Sequence, residues 1–301
     1  MALADLLQQR LRGAYWRDPV AWLEIYCLAN LTFLAVDILI AHSVNDFRRP
    51  QEYIPLLFSV ATPFLLLPAI LAWLRFHNIF WWKALGYVVG WTAVIIGITG
   101  VIFHLDSRFF YERTLKSLVY AAPFVAPLAY TGLGLLLILN RMLDARSDNH
   151  PSAARMQEWA RWVIFLAMAG LFGNFVLSLA DHSDNAFFNP VEWIAVISSA
   201  FTFTTVLMIF VMPVTRRYLR FCAAVLGIDA AVGVLGFVLH TRANLEGPST
   251  FLNNIRYVTP PIAPLLFPTL VSLTLIGIWV LAPFLPESVS PRKRRTAAPA
   301  E

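Results

Sequence analysis

The sequence predicts an all-α polytopic membrane protein with eight transmembrane helices, arranged as two tandem four-helix repeats about a pseudo-two-fold axis along the membrane normal. Three observations carry this. Hydrophobic residues make up 58% of the 301-residue chain and charged residues only 14%, against about 25% charged in a soluble domain. The apolar residues fall in runs of the length that crosses a hydrocarbon core as a helix, about 20 residues, without the period-two alternation of barrel strands. The segment from His42 to Thr62 also aligns without a gap on His182 to Thr202, with His, Ser, Asn, Phe, Pro, Glu, Ile, Ser and Thr recurring at the same spacings.

Residues 1–18 carry Asp5, Arg10, Arg12, Arg17 and Asp18 around Leu6, Leu7 and Leu11. That pattern predicts an amphipathic segment lying on the membrane and not a signal peptide, which needs an apolar core. Asp18-Pro19 is an N-cap followed by a first-turn proline, and opens a span near 20–41. Further spans are expected near 54–74, 84–104, 117–140, 160–181, 191–213, 221–240 and 258–282. The fourth and eighth contain Pro123 and Pro127, and Pro260, Pro261, Pro264 and Pro268. Proline removes a donor and clashes with the preceding turn, so the outer ends of these two spans should kink or unwind.

The repeat extends along the chain. Gly97, Gly100 and His104 match Gly233, Gly236 and His240, and Tyr120, Pro123, Ala126 and Pro127 match Tyr257, Pro260, Ala263 and Pro264. Repeats with an even number of spans share one orientation. The chain therefore divides into the surface segment 1–18, a first repeat over 19–145, a cytoplasmic linker over 146–160, a second repeat over 161–285 and a basic tail over 286–301. Most of the 23 Lys and Arg, including Arg75, Lys83, Arg141, Arg155, Arg161, Arg216, Arg217, Arg220 and Arg292, fall on the side holding both termini. The positive-inside rule makes that side cytoplasmic, and Trp81, Trp82, Trp159, Trp162 and Trp279 form an aromatic belt there. The net charge of +5 is then topological and requires no nucleic-acid partner. The partners expected are the lipid bilayer and other membrane subunits. The excess of Arg over Lys, with abundant Ala and Leu, suits a bacterial inner membrane. Cys27 and Cys222 stand singly, in no pairing motif.

The chemistry-bearing residues gather at the outer side. His42, His104, His182 and His240 end the four outward spans, and Glu52 and Glu192 begin two returning ones. Imidazole and carboxylate ligate a metal ion such as Zn, Fe or Cu, and two histidines at equal depth on facing helices can supply both axial ligands of a haem. Against ligation, Asn189-Pro190-Val191-Glu192 has the capping-box pattern. Ser59 and Thr62, with Ser199 and Thr202, descend from each Glu at helical spacing, either as a polar path or as hydroxyls bonded back to their own helices. Glycines below His104 and His240 permit close helix approach or space for a flat ligand. Asp229 lies in mid-span, with Ala93 at the matching position of the first repeat, while Asp37 and Asp181 lie near the histidine layer. Such groups are costly in hydrocarbon, so pairing or a water-filled cavity is expected.

The function expected is therefore binding of a metal ion or haem through this His/Glu layer, in a subunit of a membrane redox complex. Two alternatives are a transporter or channel with a pathway between the repeats, and a non-catalytic scaffold. A metal-dependent enzyme at the outer leaflet is a further class, but no His-Glu-x-x-His, nucleophile elbow or phosphate-cradling glycine loop is present.

Overall fold

The computed structural model describes residues 18–76, 79–142 and 152–288. Among them the elements are α1 (Pro19–Ser43), α2 (Tyr53–Phe76), α3 (Ile79–Asp106), α4 (Phe109–Glu112), α5 (Leu115–Val119), α6 (Leu128–Met142), α7 (Ala153–Asp184), α8 (Glu192–Val211), α9 (Arg216–Glu246), α10 (Phe251–Tyr257) and α11 (Leu266–Leu281). Short 3-10 turns precede α2, precede α11 and follow it, and no strand occurs among the described residues. Residues 1–17, His77 and Asn78, residues 143–151 with the start of the linker, and residues 289–301 of the basic tail lie outside the described residues.

Seven helical segments are long and apolar enough to cross a membrane. The chain is a multi-pass membrane protein whose helices turn side chains such as Leu57, Phe64, Val88, Ile95 and Ile228 outward to lipid. The expected fourth span, 117–140, is not a single helix. Its outer part is the five-residue α5 followed by turns through Pro123 and Pro127, and only the 15-residue α6 continues inward. The eighth begins in the same manner, with α10 ending at Tyr257 and the chain irregular through Pro260 and Pro261 before the turn Ala263–Leu265. The prolines supply the reason, since none can donate into the preceding turn.

α1 opens as the sequence suggests, with the Asp18 side chain accepting from Val20 N at 2.9 Å and Pro19 in the first turn. α7 begins at Ala153, inside the stretch expected to be linker, because Ser152 caps it by accepting from Arg155 N. Not every tryptophan expected in the interfacial belt lies at the surface. Trp81, Trp162 and Trp279 are exposed, but Trp82 and Trp159 are fully buried.

Packing follows two four-membered rings. α1 packs on α2, α2 on α3, α3 on α6 and α6 on α1; α7 packs on α8, α8 on α9, α9 on α11 and α11 on α7. The rings meet where α6 lies on α7 and α11 on α1. In lipid, close approach of small residues and dispersion hold helices together. Gly97 shows this: a Cβ there would stand 2.7 Å from Thr131 N and 2.9 Å from the Pro127 carbonyl. Gly233 is pressed equally hard, with the Pro264 carbonyl 2.7 Å from such a Cβ. The glycines below the histidines are thus occupied by helix packing, which removes the alternative of space for a flat ligand at those positions.

Candidate functional site

Each ring carries two histidines on helices that lie diagonally across it, α1 with α3 and α7 with α9. His42 and His104 have ring centroids 6.2 Å apart with planes at 70°, and His182 and His240 have centroids 6.4 Å apart at 83°. Neither diagonal pair of helices packs directly together to any extent. The imidazoles reach across the space between them.

Two of the four rings are hydrogen-bonded to carbonyls. His104 Nδ1 lies 2.9 Å from the Pro123 carbonyl oxygen, and His240 Nδ1 lies 2.8 Å from that of Pro260. A carbonyl only accepts, so in the neutral ring Nδ1 carries the proton and Nε2 is left with its lone pair. The unwound prolines thereby gain a role, because carbonyls released from regular helix hydrogen bonding become the acceptors that fix these rings. In the second ring the Thr259 hydroxyl, 3.0 Å from His240 Nδ1, adds another contact.

His42 and His182 face carboxylates. His42 Nδ1 is 3.9 Å from Glu52 Oε2, and His182 Nδ1 is 3.5 Å from Glu192 Oε2. The other oxygen of each Glu accepts from an asparagine, Asn45 at 3.0 Å and Asn185 at 3.5 Å. Glu192 does not close a capping box. It is the first residue of α8, its carboxylate turns to His182 and Asn185, and Asn189 Oδ1 instead accepts from Val191 N at 3.1 Å. Geometry explains this, since the carboxylate at the helix start is drawn to the imidazole facing it and not back along its own turn.

The loops that bring Glu to His share one backbone form. Asp46 and Phe47, and Ala186 and Phe187, adopt left-handed φ values of 57°, 50°, 60° and 51°. Such a conformation costs a non-glycine residue roughly 1–2 kcal/mol. Aromatic contacts offset it: Phe47 packs on Tyr53 at 4.8 Å, and Phe187 stacks on Trp193 at 4.0 Å with planes 12° apart. The amides of Phe47 and Phe187 also close back onto the carbonyls of His42 and His182.

The six residues of the expected layer therefore fall into two separate sets, His42, His104 and Glu52, and His182, His240 and Glu192. Among the described residues no group of three or more His, Cys, Asp or Glu side chains converges to hold a metal ion. The remaining polar residues divide by role. Thr62 bonds back to the Phe58 carbonyl at 2.8 Å and Ser199 to that of Ala195 at 2.9 Å, whereas the Ser59 hydroxyl reaches across to Tyr130 OH at 2.5 Å. Thr202 is buried in α8. Asp229 is buried and accepts from Ser198 Oγ at 2.5 Å, a partner that helix spacing alone does not reveal. Asp37 is half-buried on α1, and Asp181 is exposed, beside a cavity of ≈ 20 Å³ lined with Val119, Phe124 and Leu177. Cys27 and Cys222 are free and buried.

One polar cluster joins Glu24, which the sequence does not single out, to Arg141, which it marks only as a cation beside the membrane. At the opposite end of the first ring, Glu24 and Arg141 form an ion pair, with relative exposures of 0% and 1%. Asn140 Nδ2 donates to Glu24 at 2.5 Å, and the guanidinium lies 4.4 Å over the Trp82 ring. Arg141 ends an apolar run and so has the pattern of a loop cation, yet it is buried. The two residues come from opposite ends of two distant spans, a spacing that gives no local signal.

Fold and site together define a multi-pass helical membrane protein with oriented histidine pairs at one end of its bundle. Comparison with protein-family models, with curated proteins and with solved structures finds no match for this chain.

Proposed function

We propose that the chain is an eight-span protein of two tandem four-helix units, and that each unit holds one haem between its diagonal histidines, His42 with His104 and His182 with His240. The observation that carries the reading is the pair of imidazole spacings, with Nδ1 of His104 and His240 against carbonyls and Nδ1 of His42 and His182 facing carboxylates. Two imidazoles bound trans to one metal through Nε2, at about 2.0–2.1 Å with the ring centre about 1.1 Å beyond, have centroids roughly 6.3 Å apart. On one tetrahedral zinc the same rings would stand only about 5 Å apart. A haem iron asks for two protein ligands, which also agrees with the lack of any larger converging group among the described residues. In this reading Glu52 and Glu192 are the carboxylates that orient a ligating imidazole and raise its basicity, a usual arrangement around metal-bound histidine.

Eight spans follow when the broken segment 115–142 is counted as one crossing. The bias of basic residues supports both termini in the cytoplasm and the haems toward the outer side of a bacterial inner membrane. A haem protein of this form serves as an electron-carrying subunit of a membrane redox complex.

The test is an absorption spectrum and a pyridine haemochrome assay on detergent-purified protein. The expected result is two haems per chain, falling to one in His104→Ala or His240→Ala and to none in the double variant. Purified, folded protein with no Soret band after expression with excess haem would refute the proposal.

A further inference from the structure

The second repeat grips the first through α10. The Arg256 guanidinium donates to the Ser43 carbonyl and, at 3.0 Å, to Asp46 Oδ1. Ser43 follows His42 and ends α1, where carbonyls lack helical partners. Asp46 is the first left-handed residue of the loop that brings Glu52 to His42. A few residues beyond Arg256 the same segment holds the other histidine pair: the Thr259 hydroxyl and the Pro260 carbonyl lie 3.0 and 2.8 Å from His240 Nδ1. Residues 256–260 therefore touch the loop of one pair and a ring of the other.

Two buried asparagines stiffen this segment. Asn254 Nδ2 donates to the Asn244 carbonyl at 2.8 Å and to that of Ser249 at 3.0 Å, and Asn244 Nδ2 donates to the Thr259 carbonyl at 2.9 Å. These bonds tie α10 to the end of α9, which bears His240, so a shift at Arg256 is carried to Thr259 and Pro260. The opposite contact is built differently. α5 lies on α7 as α10 lies on α1, but Val119 stands at the position matching Arg256 and Ala186 at that matching Asp46. A cavity of ≈ 20 Å³ opens there, beside Val119 and Asp181. One repeat thus exchanges both charged partners for apolar ones while keeping the same loop, so the loop itself does not require the ion pair.

We propose that α10 is a clamp that couples the two histidine pairs. Closed, as in the structure, Arg256 holds the loop of His42 and Glu52 while Thr259 and Pro260 hold His240. Open, Arg256 leaves Asp46 and the acceptors at His240 shift with it. A ligand that favours one state at either pair then changes the affinity of the other, reciprocally. The inference is independent of what the histidines bind, because both grips are contacts within the chain.

The experiment is nitrogen NMR of ring-labelled histidines in the full chain, purified in detergent without added cofactor, at a pH alkaline enough to keep imidazole neutral. The His240 signals are assigned by their loss in His240→Gln. His240 should be in the Nδ1–H form, as its carbonyl partner requires. Asp46→Ala introduces the residue that the second loop carries at this position, also with left-handed φ. It should raise the Nε2–H share of His240 at least about fivefold, the low end of coupling between sites. In an Arg256→Gln protein the same substitution should add nothing, whereas a direct field of the Asp46 charge would persist. Arg48→Ala, which removes an exposed charge from the same loop outside the clamp, should leave His240 unchanged. An unaltered His240 in Asp46→Ala, an equal change in Arg48→Ala, or an undiminished effect in the Arg256→Gln protein overturns the inference. The Soret band of haem-supplied protein decides the haem proposal separately.

Discussion

The buried pair of Glu24 and Arg141 should be replaceable as a pair but not singly. Both side chains are fully buried, Asn140 donates to the same carboxylate, and the Trp82 carbonyl accepts from Arg141 Nε at 3.3 Å. Removing one partner leaves the other charge buried without compensation, which costs about 3–5 kcal/mol, whereas replacing both by apolar residues of similar volume is often neutral or stabilising. Loss of the cation–π contact with Trp82 adds roughly 1–2 kcal/mol to an Arg141 variant. The sequence of the second repeat suggests which residues to use. Ile164 and Ile278 stand at the positions matching Glu24 and Arg141, and both are buried. Reversible unfolding in mixed micelles of rising SDS fraction, followed by tryptophan fluorescence, should give Glu24→Ile about 3–5 kcal/mol and Arg141→Ile about 4–7 kcal/mol less stable. The double variant should recover most of that loss, so the coupling energy should exceed about 2 kcal/mol. Additive losses, or a double variant less stable than either single one, would refute the reasoning.

Two further predictions concern the site and its support. Glu52→Ala and Glu192→Ala should lower cofactor affinity about 10–100-fold without abolishing binding, as outer-shell partners of metal-bound histidine do; competition with free imidazole followed by the Soret band checks this. Gly97→Ala and Gly233→Ala should each destabilise by about 1–3 kcal/mol, because the backbone of the facing segment lies 2.7 Å from the added carbon in both. Gly132→Ala and Gly227→Ala, with nothing within 4 Å, should be stabilising by up to about 1 kcal/mol in the same unfolding assay.

The helical class is legible because a bilayer imposes its thickness on sequence, and a soluble fold rarely needs so many apolar runs long enough to cross it. The two His/Glu loops are legible for a different reason. His42 and Glu52, and His182 and Glu192, are ten residues apart in each half, and the loop between them recurs with its Asn, Phe and Pro. How the rings turn is not written in that spacing. The choice between capping and orienting for Glu192 depends on where α8 begins relative to the end of α7, a matter of loop geometry and not of residue type. Tertiary pairings such as Ser198 with Asp229 and Glu24 with Arg141 join different spans. In a helix surrounded by lipid the polar residue shows that a partner is needed, but not which helix supplies it. Over 117–140 Pro123 and Pro127 announce the unwound end in the sequence, but not that regular helix resumes only at Leu128.

The two halves keep some features and change others. At the outer end the two sets agree closely, in ring spacing, in the carbonyl acceptors from Pro123 and Pro260, in the carboxylates and in the paired left-handed residues. Away from that end they diverge. One has an ion pair where the other has two isoleucines, and one has alanine and phenylalanine where the other has Asp229 and Ser198. Packing alone tolerates such exchanges when volume is conserved, and it would tolerate them equally well at the histidine layer. Four left-handed non-glycine residues also carry a conformational cost that packing does not require. Agreement at the strained, polar end is what the proposed shared ligand would demand.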